Sequence, residues 1–97
     1  MYFLKIHETP KGSVIAACDR DLLGSRFSEG EKVLDIDEDF YGGNESDMDE
    51  IVSSLQGCLT ANIVGEGIVS ELIERDIVEK ENVSEVNGVP MVQLFYI

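Results

Sequence analysis

Basic residues are few in this chain, and they thin out along it. Of its 97 residues seven are Lys or Arg and twenty are Asp or Glu, giving a formal charge of −13. Residues 1–36 hold five basic and six acidic residues; residues 37–97 hold only Arg75 and Lys80 against fourteen acids. Neutralisation of phosphates by Lys and Arg supplies most non-specific affinity for nucleic acid. An RNA or DNA backbone therefore repels this chain unless a local basic patch faces it, and that patch has to come from the first third. The acidity favours solubility and few anionic partners. Salt-adapted proteins share such surfaces, but the many Ile and Leu residues and the near balance of residues 1–36 weigh against that origin.

Cysteine is also scarce. Cys18 and Cys58 are far apart and fit no metal-ligand spacing. Two lone cysteines read as small buried hydrophobes in a reduced chain. No apolar run approaches the ~18 residues of a membrane span, and Met1-Tyr2-Phe3-Leu4 is interrupted by Lys5, so no secretory hydrophobic segment is expected. The expectation is a soluble, cytoplasmic protein with no membrane segment. Hydrophobic residues make up 43% of the chain, enough for one core. A chain this short buries only about 60–65% of its unfolded surface, and residues 1–97 are read as a single domain.

Periodicity supplies the elements. Tyr2, Leu4 and Ile6 alternate with Phe3, Lys5 and His7, the pattern of a half-buried strand. Thr9-Pro10-Lys11-Gly12 is a turn, and Ser13 to Cys18, apolar on both faces, is the returning strand. Asp19 to Gly30 is irregular, with one short helical turn or a loop at Asp21 to Phe27, and Lys32 to Ile36 is a third strand. Asp37 to Glu45 reads as a loop. A helix begins at Ser46, where Ser46 and Asp49 resemble a capping box, and Met48, Ile51, Val52 and Leu55 form one apolar stripe. Gly57 stops it. Leu59 to Val64 is a strand, Gly65-Glu66-Gly67 a turn, and Ile68, Val69, Leu72 and Ile73 the inner face of a second helix. Asn87-Gly88 closes a C-terminal hairpin whose second strand starts at a bulge or edge because Pro90 has no N–H. That strand, apolar to its end, is expected inside the sheet, paired with an opening strand and burying Leu94, Phe95 and Ile97, or else under a second subunit. The fold class is α+β: a compact mixed sheet with N- and C-terminal hairpins and two helices packed on one face.

Several constellations invite chemistry. His7 and Cys18 share a hairpin, but pairing Thr9 with Gly12 sets Cys18 opposite Phe3, four residues or ~13 Å from His7 along the strand. Asp35, Asp37 and Asp39 begin like a calcium loop, yet Phe40 and Ser46 stand where Gly and Glu are required. Gly65-x-Gly67 lies where phosphate loops sit, but Glu66 opposes a phosphate and no Lys follows. Tight packing of helix on strand is the better reading. Phe40-Tyr41-Gly42-Gly43 sets two aromatics beside two glycines; the plain reading has Phe40 plugging the core, the functional one a binding loop. Arg20, Arg26 and Lys32 are the candidate basic patch. The candidate binding surface is Arg26, Phe40, Tyr41, Gly42, Gly43, Asn62 and Gly65. No catalytic residue, metal or cofactor is assigned.

The order of short motifs resembles a known family. Tyr2-Phe3-Leu4-Lys5-Ile6 with Glu8-Thr9-Pro10 opens the chain. Asp21-Leu22-Leu23-Gly24 follows, with Phe27, Glu29-Gly30-Glu31 and Leu34-Asp35. Phe40-Tyr41-Gly42-Gly43, Ala61-Asn62-Ile63-Val64-Gly65-Glu66, and Glu81-Asn82-Val83 with Gly88-Val89-Pro90 complete the set. Together they resemble the archaeal domain-of-unknown-function family numbered 424. The resemblance implies an archaeal housekeeping protein with no assigned reaction or catalytic residues, from a family sometimes described as predicted RNA-binding.

The reading this sequence favours is a non-enzymatic binding or adaptor module acting through a protein partner, with translation or RNA-processing machinery as a setting and a homodimer as a form it can take. Two alternatives stay open: direct RNA binding through Arg20, Arg26 and Lys32, and a small ligand-binding domain or enzyme, for which a polar pocket at Asn62 to Gly65 would speak. The charge makes a direct prediction. RNA should bind the isolated protein no tighter than about 10⁻⁵ M at physiological salt, the weak non-specific level. A salt-titrated filter-binding assay checks this, and sub-micromolar binding lost on Arg26→Glu would promote the basic-patch alternative.

Overall fold

The computed structural model describes residues 1–96. Tyr2–Thr9 (β1) and Gly12–Asp19 (β2) form the opening hairpin, with Thr9 opposite Gly12, Phe3 opposite Cys18 and His7 opposite Val14. That is the register the sequence sets, and it keeps His7 and Cys18 apart. After a 3-10 turn at Arg20–Leu22, Arg26–Glu29 (β3) and Lys32–Asp35 (β4) pair as a separate two-stranded ribbon. Glu38–Tyr41 (α1), Asn44–Ser46 (β5) and Met48–Leu55 (α2) come next. Thr60–Val64 (β6), Glu66–Glu74 (α3), Ser84–Val86 (β7) and Val89–Phe95 (β8) complete the chain, with a 3-10 turn at Lys80–Asn82.

Six strands make the main sheet, in the order β5-β1-β2-β6-β8-β7. Among the described residues only β2 and β6 run parallel; the other neighbours are antiparallel. On one face α2 and α3 bury Ile51, Leu55, Ile68 and Leu72 against Ile15, Ala17, Ile63 and Val92. On the other, α1 and the β3–β4 ribbon bring Leu34, Ile36 and Tyr41 against Ala16, Cys18 and Val64. Adjacent residues of β2 thus serve opposite cores, which is why its sequence is apolar without alternation.

The structure departs from the sequence reading in four places. Asp37 to Glu45 is not all loop: Tyr41 N–H donates to the Asp37 carbonyl at 2.8 Å to close α1, and β1 recruits Asn44–Ser46 as an edge strand. The cap of α2 is Asp47, whose Oδ1 accepts from Glu50 N–H at 2.9 Å, because Ser46 is buried in β5. Arg26–Glu29 is a strand although Arg26, Ser28 and Glu29 are polar and exposed and only Phe27 is apolar and half-buried. Last, β8 lies inside the sheet but pairs with β6 and β7, not with an opening strand. Phe95 is 64% exposed instead of buried, Leu94 is half-buried, and Ile97 lies outside the described residues.

The Asn87-Gly88 turn has positive φ at both residues, 50° and 82°, as a type I′ turn requires. Between α2 and α3, Arg75 bridges Asp49 at 3.2 Å and Glu71 at 3.1 Å. Glu71 also accepts from the Tyr2 hydroxyl at 2.7 Å, which ties β1 to α3.

Two substitutions separate core from surface on neighbouring strands. Ile63 is fully buried between β2 and β8, so Ile63→Ala should lower the unfolding free energy by about 2–5 kcal/mol. Phe95→Ser should change it by no more than about 0.5 kcal/mol. Urea denaturation of the two variants checks both.

Candidate functional site

The glycine turn between β6 and α3 is occupied from within the chain. Cys18 of β2 is level with Val64 of β6, so the two parallel strands end together. The next residue of β2, Asp19, places its carboxylate at the start of α3, where Oδ2 accepts from Gly67 N–H at 2.9 Å and Oδ1 from Ile68 N–H at 2.8 Å. The first N–H groups of a helix have no internal partner and carry partial positive charge, so an anion there is stabilised. Gly65 has φ +126°, and a side chain on it would collide with the Asp19 carboxylate. The phosphate-loop likeness of Gly65-x-Gly67 thus resolves into tight packing around an internal carboxylate.

The Phe40-Tyr41-Gly42-Gly43 segment is the second constellation. Tyr41 is buried in the ribbon-side core, while Phe40 is half-buried and stacks on His7 with ring centroids 4.8 Å apart. The core plug is therefore Tyr41 more than Phe40. Two side chains of β1 satisfy the free carbonyls at the end of α1: Lys5 Nζ donates to Asp39 O at 2.7 Å and His7 Nε2 to Phe40 O at 2.9 Å. That bond fixes the His7 tautomer with its proton on Nε2. At Gly43 the chain presses against the Leu4 carbonyl and Lys5 Cα, leaving no room for a side chain.

The remaining candidates lie elsewhere. Arg20 pairs with Glu45 of β5 at 3.0 Å, Arg26 stands opposite Asp35 and Lys32 opposite Glu29 in the ribbon. Asn62 accepts from Gln93 Nε2 at 2.9 Å across β6 and β8. Gly65 is buried beside Asp19.

Titratable groups in the interior are held neutral. Burial, reinforced by Asp19 and Asp21, pushes the Cys18 thiol up to about 12. Burial also raises the Cys58 thiol and carries Tyr41 to about 12. Tyr2 is raised to about 12 by burial and by its bond to Glu71. A thiol is nucleophilic only as thiolate, so neither cysteine is activated at neutral pH. Both are free and buried. Among the described residues no group of three or more His, Cys, Asp or Glu side chains could hold a metal ion, and no helix is long and apolar enough to cross a membrane.

The edge of β1 is a surface that the sequence does not announce. The two-residue turn pairs Thr9 with Gly12, and hydrogen-bonded pairs alternate along an antiparallel ladder. Phe3, Lys5, His7 and Thr9 therefore exchange bonds with β2, while Tyr2, Leu4, Ile6 and Glu8 direct theirs outward. β5 meets only Tyr2 to Leu4. The N–H and C=O groups of Ile6 and Glu8 are left without a partner among the described residues, and Ile6 is 47% exposed. Gly43 and Phe40 stand beside this edge. The alternation in Tyr2 to Glu8 locates the strand, but which part of its edge is covered depends on β5, which the sequence does not mark.

The Asp19 contact carries a stability prediction. Asp19→Ala should cost about 1–2 kcal/mol, the scale of a lost helix cap. Gly65→Ala should cost less in that background than alone, because the two closest collisions, with the Asp19 Cγ and Oδ2, are gone, while the contact with Cβ of residue 19 and the φ strain remain. A double-mutant cycle read by thermal unfolding checks the sign.

Comparison with other proteins agrees with this fold. A crystal structure of an uncharacterised conserved protein from the archaeon Methanopyrus kandleri is similar over 97% of this chain and 90% of that one, with 31% sequence identity and a TM-score of 0.75. No curated protein matches the chain. The family model for a protein of unknown function, DUF424, matches residues 7–97. From the opening hairpin to the C-terminal one, the chain thus belongs to the DUF424 family.

Proposed function

We propose that this chain is a cytoplasmic, non-enzymatic binding module that recognises a protein partner through the free edge of β1 and the adjoining Phe40, Tyr41, Gly42 and Gly43. The observation that carries the reading is the unpaired backbone of Ile6 and Glu8 beside an exposed apolar side chain. An exposed strand edge is a template for pairing with another chain. Natural edges are kept short, charged or covered; this one is short and carries Glu8, but at Ile6 it is apolar and uncovered. Tyr41 anchors the segment from the core, and Lys5 and His7 fix it to β1. The surface leaves out Arg26, Asn62 and Gly65, which sit on other strands or beside Asp19.

Direct RNA binding is not favoured. Each of Arg20, Arg26 and Lys32 has an acidic residue opposite or bonded to it, so little uncompensated positive charge faces outward. An enzymatic reading is not favoured either, since Cys18, Cys58, Tyr2 and Tyr41 are all shifted toward their neutral, unreactive forms.

Affinity purification of the tagged full chain from its native host, with and without nuclease, tests the proposal. A protein partner should survive nuclease and be lost with Phe40→Ser, which removes the stacking on His7. Retention only in the presence of intact RNA would overturn it.

A further inference from the structure

Resting on that reading, we infer the chemistry of the partner: an extended basic segment, with an apolar residue flanked two positions away by Lys or Arg, adds as a strand to β1 at Ile6 and Glu8. Strand addition draws affinity from main-chain hydrogen bonds and specificity from alternate side chains. Two residues of β1 with outward N–H and C=O groups offer the main-chain part.

The side-chain part comes from the face those residues share. Alternation puts Leu4, Ile6 and Glu8 on the side of the sheet that carries α2. There, Leu4, Lys5, Ile6, Gly43, Asn44, Ser46, Glu50 and Ser54 line a groove of about 430 Å³. Leu4 is its buried apolar residue and Ile6 its exposed one. Glu50 stands on the α2 wall, and Glu8 is the next residue of β1 on the same face. The Lys5 side chain is turned to the other face, where its Nζ is engaged by the Asp39 carbonyl. An added strand pairs only with Ile6 and Glu8, because Asn44 of β5 already stands opposite Leu4. It meets an apolar contact at Ile6 and a carboxylate at Glu8, and the end that leaves the ladder at β5 runs out beside the α2 wall that carries Glu50. An apolar residue with cations two positions away matches that alternation.

Charge selects this occupant over a second copy. Two copies pairing along the same edge would bring together two chains of −13 each, and large net charge opposes self-association. The outer edges, β5 and β7, lack an exposed apolar residue such as Ile6: Ser46 and Val86 are buried and the rest of each strand is polar.

The test is a fluorescence-anisotropy titration of the full chain against a labelled Thr-Lys-Thr-Val-Thr-Lys-Thr peptide and its counterpart with Glu in place of both Lys. The Lys peptide should bind, the Glu peptide about tenfold more weakly or not at all, and binding should weaken as salt rises. Ile6→Pro removes one outward N–H without touching the β1–β2 ladder and should abolish binding. Glu8→Lys with Glu50→Lys should weaken it by about tenfold with an unchanged melting temperature, and this variant decides if Ile6→Pro does not fold. Equal binding of the two peptides, no binding of the Lys peptide, or full affinity in folded Ile6→Pro would overturn the inference. A dimer in sedimentation that Ile6→Pro dissolves would overturn it too, in favour of a second copy. If the Lys peptide fails while a nuclease-resistant, Phe40-dependent partner persists, this inference falls and the broader binding reading stands.

Discussion

The Asp19 carboxylate at the start of α3 is the contact on which the rest of the layer arrangement depends. β2 and β6 are the one parallel pair of the sheet and end side by side. Parallel neighbours cannot be joined by a tight turn, so the chain between them is free to build the ribbon, α1, β5 and α2 before it returns. On leaving β6, the chain must then pack its next helix, α3, against the end of β2. Asp19 settles this by turning a like-charge hazard into a bond: in a chain of −13, one carboxylate is placed where helix dipole and free N–H groups favour an anion. Gly65 makes that approach sterically open, and its own N–H donates to the Pro90 carbonyl at 2.9 Å. One junction thereby joins β2, β6, α3 and β8, and fixes where Ile68, Val69 and Leu72 enter the core.

The same logic governs several of the other acids. α2 opens with Asp49 and Glu50 after the Asp47 cap, and α3 with Glu66, all near helix N-termini where negative charge is stabilising. Glu71 lies further along α3, and there the chain uses one of its two late cations, Arg75, to bridge it to Asp49. Exposed ion pairs of this kind contribute little energy each. Their effect is to relieve repulsion between two acidic helices that must lie together on the sheet. The outer surface left by this arrangement is negative and has little cation to spare, which makes cationic segments the complementary partners.

How much of the fold is legible in the sequence depends on whether an element is decided locally. The β1–β2 register, the Asn87-Gly88 turn and the apolar stripe of α2 rest on neighbours in sequence, and each has the form its residues imply. β3 and β5 do not: Arg26–Glu29, apart from Phe27, and Asn44–Ser46 are polar, and they become strands because Lys32–Asp35 and Tyr2–Leu4 offer them a ladder. Ser46 is a fair cap on composition, but pairing with Tyr2 buries it and hands the role to Asp47. The expected pairing of β8 with an opening strand fails because an apolar strand tells that it is covered, not by which neighbour. Of the candidate site, Phe40 to Gly43 stands out by its odd composition. The role of Asp19 and the open edge at Ile6 do not, since both arise from contacts between segments distant in sequence.

The open edge is also a product of how α1 is held. Lys5 and His7 commit their polar groups to the carbonyls of Asp39 and Phe40, so they brace α1 against one face of β1. Gly43 then drives the chain hard against Leu4, where β5 begins its short pairing. β5 runs antiparallel to β1, with Ser46 opposite Tyr2 and Asn44 opposite Leu4, so only residues before Asn44 could accompany β1 toward its tip. Those residues form α1 and its end at Gly42, so the stretch from Ile6 to Thr9 is left uncovered because α1 comes immediately before β5. Extending β5 backward to protect it would unwind α1 and withdraw Tyr41 from the ribbon-side core. The open stretch continues a strand that is already laddered to β2 along its whole length, the condition under which an edge can accept a partner without the entropic cost of first ordering itself.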